Sequence, residues 1–139
     1  MINSQNKGKK AERDVAKEIN KYLGTNVRRT PQSGGMSIKG DIIDINPNSA
    51  AFDYHFEVKN QKNLSIKKWW EQIYGDCPPG KTPVNVFKMN AKFYATLELK
   101  DWLSSLAELQ ELRHQIRLEL ESQEILKEEL ETLKNKISK

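Results

Sequence analysis

The chain has 139 residues, 30% of them charged, with a net charge of +4, a single cysteine, Cys77, and two histidines. That length supports one modest core, the lone cysteine excludes an internal disulfide or a multi-cysteine metal site, and two distant histidines do not make a zinc cluster. No apolar run approaches the roughly 20 residues that span a bilayer, and the N-terminus lacks a signal-peptide pattern, so a soluble intracellular protein is expected.

Charge is unevenly spread. Residues 1–100 hold 17 Lys or Arg against 10 Asp or Glu, whereas residues 101–139 hold 6 against 9. A globular domain over 1–100 and a helical segment over 101–139 follow from this division. The basic part suits a polyanion, nucleic acid first, because phosphate neutralisation supplies most non-specific binding energy. An ordinary solvated surface is the alternative.

From about Lys7, Ala11, Val15, Ile19 and Leu23 recur at four-residue spacing, an amphipathic helix that Gly24 stops. Glu12 lies at the edge of its apolar stripe. Asn26 to Thr30 is a short strand, and Pro31-Gln32-Ser33-Gly34-Gly35 is a turn. Gly40 to Ile45 is a second strand, which Asn46-Pro47-Asn48-Ser49 folds back onto the next. That next strand, Phe52 to Lys59, alternates without a break. Phe52, Tyr54, Phe56 and Val58 form its apolar face; Asp53, His55, Glu57 and Lys59 share the other.

Ser65 caps a helix over Ile66 to Tyr74 that carries Trp69 and Trp70, adjacent tryptophans that divide between the core and a partly exposed position. Short strands at Val84 to Met89 and Phe93 to Leu97 follow a Pro-Gly loop. The fold class is therefore α/β, a small mixed β-sheet flanked by helices. From about Lys100 no Gly or Pro interrupts the helix pattern. With Leu109 as a and Leu112 as d, the seam continues through Ile116, Glu119, Gln123, Leu126, Leu130, Leu133 and Ile137. Only Glu119 and Gln123 break its apolar character, so a coiled-coil homodimer is expected; one helix folded back on the core is the alternative.

The turn at Asn46-Pro47 brings Asp41 within reach of Glu57. Two carboxylates at one point repel unless a cation joins them, and magnesium prefers such oxygen ligands. Lys59 beside them would orient a water or stabilise charge on phosphorus.

A helical Glu12, then Arg28-Arg29, Ser33, Gly40-Asp41-Ile42 and Glu57-Val58-Lys59, in that order, resemble the PD-(D/E)XK nuclease superfamily. Within it the chain is most similar to archaeal-type Holliday junction resolvases and related phage endonucleases, over roughly residues 7–75. The resemblance implies a restriction-endonuclease-like core with Asp41 and Glu57 as metal ligands, Lys59 as the catalytic lysine, and Glu12 in or beside the metal site. It also implies Ser33 near the scissile phosphate and Arg28 or Arg29 on the DNA backbone. Gln61, Lys62 and Gln72 are further candidate DNA contacts. Gly40 stands where the family has proline. Asp44 is a rival for Asp41 that alternation turns to the opposite face.

The expected protein is thus a Mg2+-dependent DNA endonuclease, with Mn2+ able to substitute, acting on branched or four-way DNA as a homodimer in a bacterial or phage-infected cell. A general or nicking endonuclease, a non-catalytic DNA-binding adaptor, and a coiled-coil assembly protein are the alternatives.

Overall fold

The computed structural model describes residues 3–31 and 38–139. They divide into two compact units, Met1–Leu97 and Glu98–Lys139.

The first unit opens with α1, Ser4–Leu23, which Asn3 caps by accepting from Gln5 N–H and which Gly24 ends in the left-handed conformation at φ 63°. It buries Ala11, Val15 and Ala16 together with the carboxylate of Glu12. Among the described residues five strands follow: β1 Arg28–Arg29, β2 Ile42–Ile43, β3 Tyr54–Lys59, β4 Thr82–Met89 and β5 Lys92–Thr96. They lie side by side in chain order. Only β3 and β4 are parallel, because α2, Ile66–Asp76, carries the chain back between them.

One face of β3 joins the core that α1 covers. Val58 is buried there with Val27, Ile42, Ala51, Val84 and Val86, and Tyr54 and Phe56 pack against them. On the side of α2, Trp69 is 5.9 Å from Phe87 between ring centroids, and Ile73 is wholly buried. Burying Ile73 alone is worth about 1.5–3 kcal/mol.

The strand expected over Phe52 to Lys59 begins two residues later. Ser49 Oγ accepts from Ala51 N–H and starts a single 3-10 turn, Ala50–Asp53. Lys81 then holds that turn, donating to Phe52 O at 2.7 Å with its ammonium 4.2 Å from the Phe52 ring centre. The strands expected around Arg28 and Ile42 shorten to two residues each. Beside them, side chains take over backbone partners: Asn20 Oδ1 accepts from Val27 N–H, and Asp41 Oδ2 from Val58 N–H.

The second unit is α3, Leu99–Ile137, a helix of 39 residues that buries none of them. At 1.5 Å per residue it extends about 58 Å. Asp101 in its first turn and Lys134 and Lys136 in its last complement the helix dipole. Leu109, Leu112, Ile116, Leu126, Leu130, Leu133 and Ile137 are all exposed. Among the described residues, no helix is long and apolar enough to cross a membrane.

Candidate active site

Asp41 immediately precedes Ile42, which pairs with Phe56 across the β2–β3 ladder. Its N–H donates to Phe56 O at 2.8 Å, its carbonyl accepts from Thr30 N–H at 2.9 Å, and its Oδ2 accepts from Val58 N–H at 2.7 Å. Those bonds fix the Asp41 carboxyl close enough to Glu57 for the two to interact electrostatically.

Glu57 is 6% exposed and is gripped from both sides along its own strand. Its Oε1 lies 3.6 Å from His55 Nε2 and its Oε2 lies 3.7 Å from Lys59 Nζ. Both separations are longer than hydrogen bonds. Lys59 is held in turn by α2, donating from Nζ to Gln72 Oε1 at 2.9 Å.

The electrostatics separate the two carboxyls. Burial, followed by the Glu57 charge, pushes the Asp41 pKa up to about 7. Burial also acts to raise Glu57, but His55 and Lys59 outweigh it and hold Glu57 below the ordinary glutamate range. Near neutrality this is one ionised carboxylate beside one that readily keeps its proton. A divalent cation suits such a pair: magnesium binds through one or two carboxylates and retains several waters.

Glu12 is placed differently. It is buried and ion-paired with Arg29 Nε, adding to the field that raises Asp41. Among the described residues, no group of three or more His, Cys, Asp or Glu side chains is gathered closely enough to hold a metal ion. The structure therefore brings Asp41, Glu57, Lys59 and Gln72 together, with Glu12 engaged by Arg29 next to them.

Arg29 turns inward to Glu12, and Arg28 is the exposed member of the arginine pair. Gln61 and Lys62 are exposed just beyond β3. Ser33 lies outside the described residues. Asp44 accepts from Asn46 N–H at 2.9 Å, within the turn rather than in the site. Trp70 is half-buried and donates from Nε1 to Thr96 Oγ1 at 3.3 Å, while Trp69 is in the core.

Gly40 explains why His55 fits. At φ 92° a Cβ on Gly40 would come within 3.0 Å of His55 Cε1 and 3.1 Å of Nδ1. Proline, fixed near φ −65°, is excluded from this conformation. His55 is 3% exposed in the space that glycine leaves. Asn85, which sequence reasoning did not single out because a lone amide between two valines is ordinary in a strand, is wholly buried as the register partner of Glu57.

Fold and site together define a PD-(D/E)XK nuclease core. The family model described as "Phage putative PDDEXK endonuclease" matches residues 3–139, and the chain belongs to that family. The match runs through α3, so the long helix is part of the family's pattern. Membership implies DNA as substrate and the divalent-metal chemistry general to PD-(D/E)XK nucleases. No curated protein and no solved structure matches the chain.

Proposed function

We propose that this protein is a Mg2+-dependent endodeoxyribonuclease that cuts branched DNA in the manner of a Holliday junction resolvase. The observation that carries the catalytic reading is Asp41 beside Glu57, with Lys59 on the same strand face and tied down by Gln72. Asp41 and Glu57 would hold the cation, for which Mn2+ substitutes. When bound, it supplies a water of lowered pKa and neutralises charge on the phosphate. Lys59 keeps its proton at Nζ and presents it to the attacking water or the phosphoryl oxygen. Gln72 limits where that ammonium points. Glu12 and Arg29 act as a fixed pair that sets the field at Asp41. Exposed Arg28, Gln61 and Lys62, together with Ser33, take the DNA backbone.

The branched-DNA reading rests on pairing two sites. Residues 1–100 act as the nuclease domain and residues 101–139 as a coiled coil joining two copies. In a parallel pair, Glu108 would face Arg113 of the other helix and Glu129 would face Lys134, so the flanking charges attract. Two linked sites suit a four-way junction inside an infected bacterial cell.

The test incubates wild type, Glu57→Ala and Lys59→Ala with Mg2+ and labelled four-way junction, nicked duplex, linear duplex and single strand. Preferential cutting of the junction by wild type alone is expected. Equal cutting of all four would leave a general endonuclease, and no cutting would remove the enzyme reading.

A further inference from the structure

Asn85 has no exposed surface, yet neither Oδ1 nor Nδ2 has a hydrogen-bond partner among the described residues. Leaving buried polar atoms unpaired is costly, because their hydration is lost and nothing replaces it. An aliphatic residue of similar size would avoid that cost in a strand whose neighbours Val84 and Val86 are both buried. Such a group in a well-packed strand calls for a specific reason.

Its location supplies one. Asn85 is the register partner of Glu57 in the parallel β3–β4 ladder, so both side chains leave the sheet on the same face. The next residues along that strand face of β3 pair with Pro83, opposite His55, and Phe87, opposite Lys59, neither of which has a side-chain donor. Beyond Asn85, its β5 partner Thr96 already accepts the Trp70 indole N–H. Asn85 is therefore the only one of these three β4 neighbours able to donate to Glu57. His55 Nε2 and Lys59 Nζ approach Glu57 only to 3.6 and 3.7 Å, beyond hydrogen-bond distance.

We infer that Asn85 is a positioning residue for the metal site: its Nδ2 donates to the Glu57 carboxylate through one bridging water and holds it in the orientation that binds the cation. This rests on the reading of Asp41 and Glu57 as metal ligands. The bond adds a third fixed direction to a carboxylate otherwise held along its own strand, in the way outer hydrogen bonds orient metal-binding carboxylates generally. Loss of such a bond lowers metal affinity about 10–100-fold.

The discriminating pair is Asn85→Val and Asn85→Thr, nearly the same shape and differing in one hydroxyl donor. Titration calorimetry with Mn2+ on DNA-free protein, thermal unfolding without metal, and junction cleavage are measured for both, with Glu57→Ala as control. Asn85→Val is expected to unfold at or above the wild-type temperature while binding Mn2+ at least about tenfold more weakly. Asn85→Thr is expected to recover most of that affinity, with cleavage following affinity. Wild-type Mn2+ affinity in Asn85→Val would overturn the inference and leave the metal reading intact. Equal losses of affinity in both variants with lowered unfolding temperatures would reduce Asn85 to a packing role and also overturn it. If wild type gives no more Mn2+ binding than Glu57→Ala, the metal reading fails, and the inference with it.

Discussion

The two units solve opposite problems of burial. Residues of the first place charge inside: Glu12 and Glu57 are each under a tenth exposed. The second places grease outside, with an apolar seam, broken at Glu119 and Gln123, open along α3 from Leu109 to Ile137 and no residue buried. An isolated domain gains from neither arrangement, since buried charge costs desolvation and exposed Leu and Ile forgo the hydrophobic gain. The contrast teaches what each unit is built to receive. The first has a carboxylate pair whose mutual repulsion a cation would relieve, and the second has a stripe another helix would cover.

The sharpest way to break the comparison is inside the first unit. Glu57→Ala or Lys59→Ala should lower the rate of cleavage by on the order of 10³-fold while circular dichroism shows the fold retained. The corresponding break in the second unit is Leu126→Lys with Leu130→Lys, which charges two adjacent seam layers. If the proposed coiled coil pairs the chains, sedimentation should then show a monomer at concentrations where wild type sediments as a dimer, a weakening of at least about 100-fold. Cleavage of short linear duplex by this variant should be unchanged, because the proposed site draws all its residues from one chain.

Next in size is the response to pH. The Asp41 pKa lies near 7 folded and at 3.8 in the reference state, so the metal-free native protein binds more protons than the unfolded chain between those values. Its stability should fall as pH rises from about 5 to 7 and level off above, by on the order of a few kcal/mol. Glu57 has the opposite sign, but its lowered pKa places its contribution below this window, where stability is lost on acidification. Denaturant melts at several pH values should show the fall in wild type and its absence in Asp41→Asn; Mg2+ should suppress it by displacing the proton. The smallest effect belongs to Gln72→Ala. Losing one hydrogen bond to a charged group should slow cleavage about tenfold without changing Mn2+ affinity.

Much of this was readable in the chain because the signals are local. Four-residue spacing gave α1, unbroken alternation gave β3, and the Asn46-Pro47 turn brought Asp41 to Glu57. Pairing across distance was less legible. Whether Arg28 or Arg29 faced outward depended on Glu12 arriving from a helix 17 residues earlier. Asn85 acquired significance only once α2 made β3 and β4 parallel, since no pattern within Val84-Asn85-Val86 distinguishes a buried amide from a solvated one. The 3-10 turn at Ala50–Asp53 was hidden by the alternation itself, which Phe52 satisfies without being in a strand.

The helix that holds Lys59 also carries its own optical label. Trp69 packs on Phe87 and Trp70 donates to Thr96, so any shift of α2 that loosens Gln72 from Lys59 moves two indoles between distinct environments. The chain's third tryptophan, Trp102, belongs to the other unit and can be replaced by Phe. Emission from the remaining pair then follows the lysine's anchorage in real time, with no dye attached and before any strand is cut.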